Sequence, residues 1–263
     1  MNDIVQFIRD SPKRLAQFKS VADSVGVPDA NLRPLCPTRW TLRLRSLQSV
    51  KKSFKPLRAQ LNLMATEMKN DRIIRAKVAG FSNEMNSFKF IFWLTVCIEL
   101  FETTTSLSKI LQSSSISAGE GRKAAQLTLD VLCSYGQEHH FYEIWMTVKG
   151  HQATLEISDP SLPRLIKRPL RYEDGSESYE HQTVEKYFRV LHWKVLDSII
   201  VSMTSRFHCK GHQITETIEK VIFDGFASKT VDKIALTELS LHFGDDISTS
   251  RLRSELCVLA NIP

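Results

Sequence analysis

Seven apolar residues, Leu47, Val50, Phe54, Leu57, Leu61, Met64 and Met68, recur at alternating intervals of three and four. Only a helix brings residues at such intervals onto one side, so the stripe predicts a long amphipathic helix with an inward-facing apolar edge. Pro56 lies inside the stripe and lacks the N–H that a helix interior uses, so a kink or split is expected near Lys55. The opposite side carries Arg43, Lys51, Lys52, Lys55 and Arg58. Ten Gly and nine Pro among 263 residues are too few for a turn-rich all-β architecture. With 42% hydrophobic and 24% charged residues, the chain can bury a globular core.

Helical patterns fill most of the remainder. A short helix from Asp3 to Ile8 runs into Ser11-Pro12, an N-cap followed by proline at the first helical position. A second helix covers Lys13 to Ser24, ended by Gly26 and Pro28, and Val27 to Pro37 reads as a loop. Helices are expected from Asp71 to Asn86, Phe88 to Leu111, Lys123 to Tyr135 and His139 to Ile157, with a small-residue loop from Ser113 to Gly121. The segment 158–182 breaks the pattern with Pro160, Pro163, Pro169 and Asp174-Gly175. It is the expected boundary between a basic N-terminal helical part, 1–157, and a C-terminal helical part, 183–263. In the latter, Val184, Phe188, Leu191, Val195 and Ile199 mark a helix ending near Phe207. Shorter helices punctuated by Gly211, Gly225 and Gly244 follow, and a last one covers Thr249 to Ala260. The most apolar run, Phe88 to Phe101, is interrupted by Lys89 and Glu99 and falls short of the about 20 residues a membrane crossing needs. It reads as a buried core helix, and no membrane partner is expected.

Charge and cysteine usage narrow the function classes. Residues 1–60 hold twelve Lys or Arg against four Asp, while the whole chain carries only +6. Such asymmetry suits an acidic partner, nucleic acid first, or else a solvated basic face. Five widely spaced cysteines without a CxxC favour a reducing, intracellular compartment over a disulfide framework. His208, Cys209 and His212 lack the second ligand pair that zinc needs, and His139, His140 and Glu143 show no partner for acid–base work. Neither GxGxxG, a P-loop nor GxSxG occurs. Phe90, Phe92 and Trp93 read as core. No enzyme activity, metal, cofactor or small-molecule substrate is therefore expected. In Cys36-Pro37-Thr38-Arg39-Trp40-Thr41, by contrast, an indole is flanked by Arg39, Arg43 and Arg45. This combination can stack a splayed base while phosphates are neutralised, or the tryptophan can anchor the loop on the core.

Thr38-Arg39-Trp40 after Cys36-Pro37, with Arg45 and a long helix behind it, resembles the Arg-Trp motif of hAT-superfamily transposases. Phe7 to Arg14 is similar to the helix preceding that motif. Leu162-Pro163-Arg164 with Arg168-Pro169 and Arg171-Tyr172 resembles the family's Pro/Arg-rich segment. Glu185-Lys186-Tyr187-Phe188 through Arg206-Phe207 resembles the helix that follows. Order and spacing agree over most of the chain, nearest to domesticated proteins of the zinc-finger MYM-type kind. The resemblance implies a ribonuclease H-like ancestry in which three acidic residues would hold two divalent metals. Those acids would flank the helical insertion, outside Met1 to Pro263. The expectation is thus a mainly α chain, a multi-helix insertion domain with the catalytic β-sheet core missing, and a transposase relative without its active site. The resemblance also implies that Trp40 stacks on a displaced base, supported by Arg39. The expected partner is DNA in the nucleus, contacted through Arg39, Trp40, Arg43, Arg45, Lys51, Lys52, Lys55 and Arg58. The alternatives are a helical scaffold for other proteins and a truncated relic without selected activity.

Overall fold

The computed structural model describes residues 1–36, 40–67, 71–162, 183–228 and 231–260. Helices account for 82% of them, and no strand occurs among them, as the 3.6-residue periodicity predicts. In chain order the helices are α1 (Asn2–Arg9), α2 (Pro12–Ser24), α3 (Trp40–Lys52), α4 (Phe54–Glu67), α5 (Arg72–Met85) and α6 (Phe88–Leu111). They continue with α7 (Ala118–Tyr135), α8 (Glu138–Leu155), α9 (Val184–Phe207), α10 (Lys210–Ser228), α11 (Lys233–Phe243) and α12 (Thr249–Leu259). A 3-10 turn, Gly244–Asp246, joins the last two.

The chain divides into two compact units, each assembled from separated stretches. Unit 1 comprises Met1–Ser106 and Ser134–Leu196; unit 2 comprises Leu107–Cys133 and Asp197–Pro263. The sequence instead suggests consecutive parts, 1–157 and 183–263. Residues 163–182, most of the expected connecting segment, lie outside the described residues.

In unit 1 the apolar stripe behaves as its spacing requires. Leu47, Val50, Phe54, Leu57, Leu61 and Met64 are all buried; Met68 lies outside the described residues. The break falls at Ser53, two residues before the expected position. A proline ring collides with the carbonyl four residues upstream, here that of Lys52, so the helix ends there. Pro56 then takes the third position of α4, where an N–H would have no helical partner in any case. The Ser11 hydroxyl accepts from the Arg14 N–H at 3.4 Å and caps α2, with Pro12 at its first position, as the sequence indicates. Residues 27–36 are fastened to α1 and α3. The Leu35 N–H donates to Asn2 Oδ1 at 3.2 Å, and Ser46 Oγ donates to the Pro34 carbonyl at 2.8 Å.

The interior of unit 1 is aromatic. Phe88 and Phe92 of α6 meet Phe188 of α9 at ring separations of 5.4 and 4.9 Å, and Phe88 meets Trp145 of α8 at 4.9 Å. Tilted and edge-on pairs of this kind add to what their buried area contributes. By length and composition the 24-residue α6 passes the test for a membrane-crossing helix, as core helices also do; here Phe88 and Phe92 are covered by α8 and α9. On α9 the buried edge is Phe188, His192 and Leu196 rather than the expected Val184, Phe188, Leu191, Val195 and Ile199. His192 interrupts the apolar pattern because it fits beside Phe141, 5.8 Å away, and His140, 6.4 Å away.

Unit 2 has an aliphatic core of Ile214, Val221, Val231, Ala235, Leu236, Leu239 and Leu256. Its α7 starts at Ala118, within the expected loop, because Ser117 and Glu120 form a reciprocal cap. The Glu120 N–H donates to Ser117 Oγ at 3.1 Å, and the Ser117 N–H donates to Glu120 Oε2 at 3.0 Å. Gly211 and Gly225 lie inside α10 instead of ending helices. At Gly225 an added Cβ would stand 3.4 Å from Leu256 and 3.5 Å from Val231, an ordinary packing contact.

Candidate nucleic-acid interface

The break between α3 and α4 also organises charge. Lys51 and Lys52 occupy the last turn of α3, where the helix dipole favours cations. Lys55 follows in the first turn of α4. All three are exposed and line one cleft of about 220 Å³ on unit 1. Phe54, Ile91, Leu94 and Leu155 give this cleft an apolar floor, Val27 and Thr95 complete it, and His151 enters from α8. No carboxylate lines it. Among the described residues none of the three lysines makes an ion pair. Cations gathered without partners repel one another, and an arriving anion relieves that repulsion. Burial, and then the charge of Lys51, hold the half-buried His151 below the ordinary histidine pKa.

The other predicted contact residues separate into groups. Arg39 lies outside the described residues, and Trp40 is the first residue of α3. Arg43 is half-buried and Arg45 exposed, and neither lines the cleft. Arg58 is used structurally: its guanidinium donates to the carbonyl of Leu155, the last residue of α8, and lies 5.9 Å from the Phe54 ring. Two further N-terminal arginines are used in the same way. Arg9 donates to the Leu32 carbonyl at 2.6 Å, and Arg14 to the Phe7 carbonyl at 2.7 Å. Of the expected contact residues, Lys51, Lys52 and Lys55 are the three that line this cleft. His151 was not among the expected contacts, since nothing in its local sequence sets it apart from other helical histidines.

The other polar clusters are occupied internally. His208 Nε2 lies 2.9 Å from Gln126 Oε1, and the Cys209 thiol donates to the Arg206 carbonyl. His140 stacks on Tyr135 at 4.3 Å, with Nε2 3.3 Å from Glu99, whose carboxyl burial pushes above the usual range. Tyr135 in turn shares a hydrogen bond with Thr103 at 2.9 Å. Among the described residues no three His, Cys, Asp or Glu side chains gather closely enough to hold a metal.

Comparison with protein-family models, with curated proteins and with solved structures finds no match for the chain. The hAT likeness is therefore carried by the sequence motifs alone.

Proposed function

We propose that the chain is a non-catalytic helical protein of hAT-transposase descent that binds DNA through the cationic cleft of α3, α4 and α8. The observation that carries this reading is the convergence of Lys51, Lys52 and Lys55 on one cleft without a carboxylate in its lining. Phosphates are the anions such a cleft meets in multiple, evenly spaced copies, and neutralising them releases condensed counterions. Descent from a transposase is supported by the Arg-Trp motif and the three segments that accompany it. On that descent Trp40, the first residue of α3, is assigned to stacking on a base displaced at the transposon end. A DNA partner also fits a nuclear location.

The test is fluorescence anisotropy of a labelled duplex titrated at rising salt. Wild-type affinity falls steeply with salt, and Lys51→Gln, Lys52→Gln and Lys55→Gln combined flatten the logarithmic slope by about three, close to one per lost contact. The same samples leave DNA uncut in magnesium or manganese. An unchanged slope would move the reading to a protein-interaction scaffold. That alternative is supported by Phe223, Ile234 and Leu241 of unit 2, exposed at 63, 79 and 83%.

A further inference from the structure

The DNA-binding reading leaves one titratable residue of the cleft, His151, without a role. Lys51 and Lys52 of α3 and Lys55 of α4 line the cleft with His151, and the charge of Lys51 acts on its ring. Helix α6 contributes Ile91, Leu94 and Thr95, none of them titratable. We infer that His151 is a fourth ligand for a nucleic-acid phosphate in this cleft, and that it binds only as the imidazolium. The inference rests on the DNA-binding reading of the same site and adds to it a dependence on protons.

Partial burial, and then the Lys51 ammonium, oppose a proton on the ring. A neutral imidazole has one N–H and one bare nitrogen, and the bare nitrogen repels phosphate oxygen. A phosphate drawn in by the lysines compensates both penalties. Its charge offsets theirs, and its oxygens accept from an imidazolium whose two nitrogens both donate. The proton stays on nitrogen and no bond to phosphorus forms or breaks. Linkage makes the effect reciprocal: if phosphate favours the protonated ring, protons favour phosphate by the same factor. Histidine is the side chain whose ordinary titration falls nearest neutrality, so it gives the cleft a charge that modest acidification can set.

The probe is an oligothymidylate without terminal phosphates, whose internal phosphodiesters do not titrate near neutrality. Affinity is measured at fixed ionic strength from about pH 8 to about pH 5.5, with circular dichroism confirming the fold at each point. Wild-type affinity rises about five- to tenfold across this range, a typical coupling between two linked sites. His151→Gln stays flat at the wild-type level of the alkaline end, and His151→Arg stays flat at the level of the acid end. In the unsubstituted protein, the His151 ring resonance titrates at higher pH when the oligonucleotide is saturating, which needs no variant to fold. Tight binding with the same pH dependence in His151→Gln, or a His151 titration that the oligonucleotide does not move, overturns the assignment and leaves DNA binding standing. Absence of binding at every pH overturns both.

Discussion

Unit 1 and unit 2 are both helical, yet they spend their aromatic residues differently. Unit 1 interlocks Phe88, Phe92, Phe141, Trp145 and Phe188 in its interior. Unit 2 closes on an aliphatic core with Phe243 packed at its side, and leaves Phe223 and Phe226 exposed at 63 and 44%. Aromatic interiors hold fixed ring geometries and bury large areas, which makes a stiff platform. The cationic cleft is built on that platform: its floor residues Phe54, Ile91 and Leu94 are buried members of unit 1. Charges held close together need a support that does not relax away from their repulsion, and the aromatic unit supplies it.

The largest expected effect tests that contrast directly. Phe92→Ala removes a fully buried ring that touches α8 and α9, and should destabilise unit 1 by about 3–5 kcal/mol in urea unfolding. Leu239→Ala, at the centre of the unit 2 core, should fall near the lower end of the about 2–5 kcal/mol usual for such truncations, because a small aliphatic core collapses more readily around the gap. A greater loss from Leu239→Ala than from Phe92→Ala would reverse the ranking of the two units.

A somewhat smaller effect sharpens the comparison through pH. His192 is 1% exposed, its Nδ1 meets no partner, and burial, then the nearby His140, pushes its pKa down from 6.5 to about 4. The unfolded chain takes up a proton near 6.5 while the folded chain refuses it until about 4. Stability contributed by the neutral ring is therefore present above 6.5 and lost as pH falls from there toward 4. The loss is about 3 kcal/mol, from 1.36 kcal/mol per pKa unit. His192→Leu should unfold with a much flatter profile across that window, whatever its stability at neutral pH. An identical acid profile in the variant would place the sensitivity elsewhere.

The two units also differ in how far their sequences announce them. The stripe from Leu47 to Met64 was legible because a repeat of three and four has one physical solution, and Ser11-Pro12 because caps are local chemistry. The position of the break at Ser53 follows from Pro56 once its clash with the carbonyl of Lys52 is counted. In unit 2, Gly119, Gly121, Gly211 and Gly225 suggest loops but all lie in helices. The start of α7 carries a local signal, Ser117 and Glu120 at capping-box spacing, with the loop-favouring Gly119 and Gly121 beside it. At Gly225 the helix simply runs through the glycine, packed at ordinary contact distance from Leu256 and Val231. The site shows the same division. Lys51, Lys52 and Lys55 could be grouped from spacing alone, whereas Arg58 is withdrawn by the Leu155 carbonyl and His151 is supplied by a helix about one hundred residues later.

The smallest expected effect separates the cleft from the platform beneath it. Lys52 is exposed and makes no ion pair among the described residues, so Lys52→Ala loses little packing. It loses a favourable position at the C-terminus of α3, worth about 0.3–1 kcal/mol. Against that, it relieves the repulsion from Lys51 and Lys55, which is of the same order between exposed charges in water. The two nearly cancel, and the change in unfolding free energy should stay well under about 1 kcal/mol. Salt distinguishes the terms: screening weakens both, so the small difference should shrink further as ionic strength rises. DNA affinity should not share this indifference. Losing one phosphate contact flattens the salt slope by about one unit. A lysine that costs nothing to fold yet changes the salt dependence of binding belongs to a surface kept for a ligand. If Lys52→Ala instead destabilised unit 1 as Phe92→Ala does, the lysines would be part of the platform, and the separation between support and site would fail.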